Sequence, residues 1–197
     1  MALKTLVKVG QISNLSDARY CAGMSVDMLG FGVITGQPHY VSPELFKEMR
    51  GWFSGPAIVA EAYGIQKGED LPAIIQNYLP DFIELGVQDL LKIHSPSSTY
   101  ILSTTPEELQ AQEDALTLFR IQISKIIIPA STEKAVVDEL ARSYKVMLRV
   151  DAGFPIDTVI NNPSIKGIAL QGSPEERPGL KTYDQLSSIL DKLEVED

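Results

Sequence analysis

The sequence is poor in the residues that carry metal, redox and disulfide chemistry. Its 197 residues hold one cysteine, Cys21, and two histidines, His39 and His94. A lone cysteine forms no intramolecular disulfide and builds no thiolate zinc cluster. Two separated histidines without carboxylates at ligand spacing build no imidazole site. No metal and no cofactor is expected. Long apolar runs are missing as well: none approaches the roughly 18 residues of a membrane-spanning helix. The opening "MALKTLVKVGQIS" lacks the apolar core and small-residue cleavage site of a secretory leader. Nor is there a basic excess, since 17 Lys and Arg stand against 26 Asp and Glu, a net charge of −9. That balance gives no broad attraction to nucleic acid or anionic membrane. The expectation is a cytoplasmic protein, monomer or homodimer, whose partner is a small molecule.

No linker, low-complexity segment or charge block divides the chain, so residues 1–197 are read as one domain. What recurs is a short run rich in Val, Ile and Leu followed by an amphipathic stretch. "TLVKVG" leads into "NLSDARYCAGMS", "DMLGFGVI" into "SPELFKEMRGWF", and "AIVAEAYG" into "EDLPAIIQNY". "DFIELG" precedes "VQDLLKIHS", "TYILSTT" precedes "PEELQAQEDALTLF", and "SKIIIPAS" precedes "TEKAVVDELARSY". "KVMLRVDA" with "FPIDTVINN" and "KGIALQG" with "TYDQLSSILDKLE" complete eight units. Start signals accompany several helices: Asn14 or Ser16 for the first, Ser42 with Pro43 for the second, Thr132 with Glu133 for the sixth.

A strand followed by a helix calls for a parallel neighbour, because parallel strands need a crossover. Eight units predict an α/β fold, a (β/α)8 TIM barrel of short form, where about 250 residues is typical. The runner-up, an open doubly wound sheet, often carries a Gly-rich first turn. Here that turn is "VGQISN", with no G-x-G-x-x-G. In a barrel, chemistry sits where strands end. The acids near those ends are Glu61, Glu84 and Asp151.

The seventh and eighth turns, "VDAGFP" and "LQGSPEERPG", are neighbours in a barrel and the usual place for a phosphate. Glycines let the backbone approach, and amide N–H groups point at the anion. Gly153, Gly172 and Ser173 suit that role, although each glycine alone would read as an ordinary turn residue. Asp151 stands beside them, and its carboxylate would repel a phosphate by a few kcal/mol at intermediate dielectric.

With these segments in view, the chain resembles the phosphoribosylanthranilate isomerases of tryptophan biosynthesis. "KVGQISNLSDARYCAGMSVDMLGFGVITGQPHYVSPE" is similar to that family's Lys-Ile-Cys-Gly-Ile-Thr, Asn-Leu-x-Asp-Ala, Gly-Ala-Asp, Gly-Phe and Arg-Tyr-Val-Ser-Pro-Glu series. "VDAGFPIDTV" resembles its Gly-Gly-Leu-x-Pro-x-Asn-Val segment, and "IALQGSPEERPGLKTYDQL" its Ser-Ser-Gly and Pro-Gly-x-Lys ending. The middle of the chain matches only in rhythm.

The resemblance implies a phosphorylated-sugar ligand and an Amadori rearrangement, which needs a general acid and a general base. In the family these are the cysteine of the opening pattern and an aspartate ending strand six. Here the first position is Gly10 and the second falls within Ile128, Pro129 or Ala130. The family's substrate-facing arginine corresponds to His39, and the first Ser of the Ser-Ser-Gly element to Gln171. Cys21 lies inside the first helix, as a small apolar packer. Trp52 and Phe53 read as packing outside the barrel. Asp151 and Glu84 are the candidate catalytic pair. Three functions stay open: an isomerase scaffold with its proton carriers lost, a non-catalytic phosphosugar-binding or regulatory paralogue, and an isomerase of another phosphosugar with reassigned carboxylates.

Overall fold

Side chains on a strand point alternately to its two faces, and the first strand shows what that does to this sequence. In β1, Leu6–Gly10, Val7 and Val9 face outward while Lys8 faces inward. The computed structural model describes residues 2–67, 70–94, 98–151, 153–172 and 183–195. Its other strands are β2 (Met28–Gly32), β3 (Ala57–Glu61), β4 (Phe82–Gly86), β5 (Tyr100–Ser103), β6 (Ile123–Pro129), β7 (Val146–Arg149) and β8 (Ile165–Gln171). All neighbours pair in parallel, and β8 returns to β1 with Leu6 opposite Gly167 and Gly10 opposite Gln171. The sheet is a closed eight-stranded barrel, the (β/α)8 fold expected from the eight repeating units.

Helices follow each strand: α1 (Leu15–Gly23), α2 (Pro43–Arg50), α3 (Leu71–Tyr78), α4 (Val87–Leu90), α5 (Pro106–Ala111), α6 (Glu113–Leu116), α7 (Lys134–Leu140), α8 (Asp157–Ile160) and α9 (Asp184–Leu193). Asn14 caps α1, its side-chain oxygen accepting the Asp17 N–H at 2.9 Å. Ser42 caps α2, with Pro43 in the first turn. The predicted start of the sixth helix shifts: α7 begins after Glu133, whose side chain makes no capping bond, so Thr132 is not its cap. The helices after β4 and β7 shrink to single turns, which accounts for the short chain.

Two apolar layers result. Outward residues of the strands pack beneath the helices, as where Phe31 meets Phe46 edge to face at 5.1 Å. Inward residues Met28, Val59, Ile101, Ile127, Met147 and Ala169 form a separate plug inside the barrel. Lys8 is in register with Met28 and Ala169, so its stem rises out of that plug. Cys21 is buried on the inner face of α1, and Phe53 joins the outer layer. Trp52 does not: it is 68% exposed, because it follows the helix end rather than facing the strands. No helix among the described residues is long and apolar enough to cross a membrane.

Candidate functional site

At the C-terminal ends of the strands the barrel opens into a cavity of about 260 Å³. Lys8, Gly10, Gln11, Gly32, Gln37, Pro38, His39, Glu61, Tyr63, Glu84, Ile127, Arg149, Ala169, Leu170 and Gln171 line it. Glu61 ends β3 and lies opposite Glu84 of β4 in register, so alternation turns both carboxylates inward at one level. Lys8 rises between them. Its ammonium lies 2.5 Å from Glu61 Oε1 and 2.6 Å from Glu84 Oε2. All three residues are buried. Burial alone would drive the Lys8 amine toward neutrality, but the charges of Glu61 and then Glu84 overcome it and hold its pKa above the ordinary lysine range.

The remaining oxygens draw on the loops. Gln11 takes a left-handed backbone, φ 57°, and donates its N–H to Glu61 Oε2 at 3.0 Å. Such a conformation costs a non-glycine residue on the order of 1 kcal/mol, and the charge-assisted bond offsets it. Tyr63, in the loop after β3, donates its hydroxyl to Glu84 Oε1. Burial, then the neighbouring Glu84 charge, pushes the Tyr63 hydroxyl far above its usual range, so it stays a proton donor in that bond. Glu84 Oε2 is satisfied by the Lys8 ammonium alone.

Two glycines make room for this triad. A β-carbon at Gly10 would lie 2.4 Å from Glu61 Oε1 and 2.9 Å from Lys8 Nζ. One at Gly30 would lie 2.3 Å from the same carboxylate oxygen. Both positions are inside faces of their strands, and the carboxylate of Glu61 fills the volume their side chains would take.

Across the mouth, Arg149 at the end of β7 donates to the Ser103 hydroxyl at the end of β5. This places a guanidinium beside Ser103, whose hydroxyl also meets Tyr63, the partner of Glu84. The loop after β2 folds back over Gly32, where a β-carbon would come within 2.7 Å of the His39 carbonyl. His39, at φ 61°, is exposed on the lip.

Of the residues singled out in the sequence, Gly10, His39, Glu61, Glu84 and Gln171 line this cavity. Asp151 is exposed and does not line it. Gly153 is exposed beside Asp151. Gly172 borders the eighth turn, but its N–H donates to the Gly10 carbonyl at 2.8 Å and continues the β8–β1 ladder, so that amide is committed within the sheet. Ser173 lies outside the described residues. No cluster of three or more His, Cys, Asp or Glu able to hold a metal is found among the described residues.

No family model matches the chain, and no curated protein matches it in sequence. Solved structures do match it in shape. Phosphoribosylanthranilate isomerase from Thermotoga maritima superposes with a TM-score of 0.73 at 16% identity, over 96% of this chain and 98% of that one. The likeness is one of fold. A phosphoribosylanthranilate isomerase in complex with reduced 1-(o-carboxyphenylamino)-1-deoxyribulose 5-phosphate gives 0.73 and 16%, over 95% of this chain and 97% of the other. The Thermus thermophilus isomerase gives 0.71 and 16%, over 95% and 98%.

Lys8 and Tyr63 are the site residues that the motifs do not mark. A signal for Lys8 was present: in "LVKVG" it holds the inward parity between two outward valines. Arg149 holds the same parity in "VMLR".

Proposed function

We propose that the protein is a divergent phosphoribosylanthranilate isomerase-like barrel that binds a small phosphorylated sugar in its mouth without catalysing the isomerisation of its structural relatives. One observation carries the reading: the Lys8 ammonium sits between Glu61 and Glu84 in the space left by Gly10. The position that corresponds to the family's general base is thus hydrogen, with a paired carboxylate behind it. The sixth strand ends at Pro129 and is followed by Ala130, neither of which transfers a proton. Glu61 accepts from Lys8 and Gln11, and Glu84 from Tyr63. A general base needs an oxygen within reach of the substrate proton, and these oxygens are held by the protein. Arg149 is the cation proposed to meet the anion, and the seventh turn with Gly153, which lies outside the cavity lining, is the second proposed contact. The phosphate then stands at the β7 side and the sugar hydroxyls over the polar floor.

A second reading draws on the bond between Tyr63 and Glu84, which faces the cavity. There a reassigned carboxylate serves isomerisation of a different phosphosugar. Asp151, the other acid of the candidate pair, is exposed and outside the cavity lining.

The purified protein is tested in two ways: isomerisation of phosphoribosylanthranilate, followed by loss of substrate fluorescence, and calorimetric binding of ribose 5-phosphate. Binding without turnover is expected. Turnover at rates typical of an enzyme, in the range of about 1 per second or more, would overturn the reading.

A further inference from the structure

The far end of the barrel, where β1, β7 and β8 begin, carries a groove of about 600 Å³. Leu3, Leu6, Ile160 and Ile165 form an apolar wall, and Lys4, Lys145 and Lys166 line the same space. One acid lies among them, Asp27, and its carboxylate accepts the Val7 N–H at 2.8 Å. None of the three ammoniums is within ion-pair distance of a carboxylate among the described residues. Lys4 donates to the Lys192 carbonyl at 3.3 Å and Lys166 to the Pro163 carbonyl at 2.7 Å, bonds that leave both charges in place. Lys125 of β6 adds to this field. It is only 9% exposed, with its ammonium 4.1 Å from the centre of the Phe82 ring and bonded to the Ser124 hydroxyl at 3.2 Å. Burial, then the charge of Lys145, lowers its pKa, so the two cations stand near enough to repel each other. A chain of net charge −9 thus has a cationic, half-apolar recess at the end away from Glu61 and Glu84.

We propose that this groove is a second binding site, for a small organic anion with an apolar body. The body lies on the wall of Leu3, Leu6, Ile160 and Ile165, and the carboxylate, sulfonate or phosphate head turns toward Lys145 and Lys166. The volume is that of a small-molecule site. An anion there meets cations that lack a counter-charge and offsets the repulsion between Lys145 and Lys125. An uncharged body gains the apolar wall alone. A polar anion such as ribose 5-phosphate gains only exposed ion pairs, which contribute little. Selection needs both halves. An anionic bilayer is not the partner, because the net negative charge of the chain opposes its approach.

Two dyes with one skeleton test this: 8-anilinonaphthalene-1-sulfonate, an anion, and N-phenyl-1-naphthylamine, which lacks the sulfonate. Fluorescence titration at about pH 7 gives the affinity of each for the wild type and for the double variant Lys145→Met with Lys166→Met. Both lysines are exposed, and circular dichroism checks that the variant folds. A control pair, Lys92→Met with Lys134→Met, removes two lysines that are paired to acids elsewhere. The wild type is expected to bind the sulfonate dye at one site, about tenfold more tightly than the neutral dye. The Lys145 and Lys166 variant brings the two affinities to within about threefold, and the control pair keeps the preference. Added salt narrows the preference in the wild type itself, because exposed charges are screened. Equal wild-type affinities, no saturable binding, or a preference that survives loss of Lys145 and Lys166 would overturn the proposal. Displacement of the sulfonate dye by ribose 5-phosphate would place the dye in the other mouth and overturn it as well. Co-flotation of the wild type with phosphatidylglycerol vesicles, lost in the same double variant, would give these lysines to a membrane and overturn it.

Discussion

Glu61 stands where a side chain at Gly10 would have to be. The 2.4 Å separation between a β-carbon at position 10 and Glu61 Oε1 is closer than real contacts allow. The two residues are 51 positions apart in sequence and belong to different strands. A glycine that reads in sequence as a deleted reactive group reads in space as a fitted neighbour. The glycine at position 10 and the acid at Glu61 belong to one arrangement, with Gly30 as its third member.

Placing a thiol at position 10 therefore fails on sterics before chemistry. Gly10→Cys and Gly10→Ala each force Glu61 and Lys8 apart, at a cost of about 1–3 kcal/mol from overpacking. The cost shrinks in a Glu61→Ala background, where the carboxylate is gone and Lys8 retains Glu84. Urea unfolding of the four proteins in each cycle measures the coupling. Strict additivity would show that Glu61 does not occupy that space.

Removal of the shared cation is more severe. Lys8→Met leaves Glu61 and Glu84 buried and facing each other, and loss of one partner from a buried ion pair costs about 3–5 kcal/mol. Glu61→Gln with Lys8→Met lowers the residual charge and recovers part of that loss. A melting temperature for Lys8→Met equal to the wild type's would contradict the buried triad.

Alkaline pH acts on the same group. The folded state holds the Lys8 proton more tightly than the ordinary lysine value of 10.5, so its contribution is complete below that value and declines as pH rises past it. Tyr63, Tyr78 and Tyr183 act in the same direction. Burial first, then Glu84, Tyr40 and Asp17 respectively, raise their hydroxyls above 10.0, so the unfolded chain ionises first. Denaturant midpoints are expected to hold up to about pH 9.5 and fall beyond it, less steeply in Lys8→Met than in the wild type. A midpoint that rises from pH 9.5 to pH 11 would have the wrong sign.

At the seventh turn, structure and function separate cleanly. Nothing lies within 4 Å of a β-carbon at Gly153, so Gly153→Asp is expected to fold with a stability within about 0.5 kcal/mol of the wild type. The new carboxylate opposes an anion held there, and ribose 5-phosphate binding is expected to fall by about tenfold or more. Unchanged affinity would remove Gly153 from the phosphate site.

Much of this was readable from the sequence, and the remainder has physical reasons. The closed barrel follows from eight strand–helix units, because each parallel pair needs a crossover and the apolar runs have strand length. Asn14 and Ser42 cap as their types predict. Glu84 and His39 reach the mouth because strand ends do. Position along the chain does not show which end residues turn inward, so Asp151 was grouped with them although it is exposed. The Gly172 amide looked available from its loop, yet the ladder to Gly10 extends one residue further and takes it. Lys8 was hidden in plain alternation, since a lysine among valines reads as a solvent-facing residue until the barrel closes. The space shared by Gly10, Gly30 and Glu61 depends on three strands meeting, which no local pattern records.

The most direct test of a ligand in this mouth is a ¹⁵N-resolved amide titration with ribose 5-phosphate. The Gln11 N–H donates to Glu61 Oε2 at the edge of the cavity, so its resonance reports on that floor without any substitution. The account predicts a saturable shift of the Gln11 amide, with Tyr63 and Arg149 moving in step and Lys4 and Lys166 at the opposite barrel end unmoved. Perturbations confined to that opposite end, or none at millimolar ligand, would contradict it.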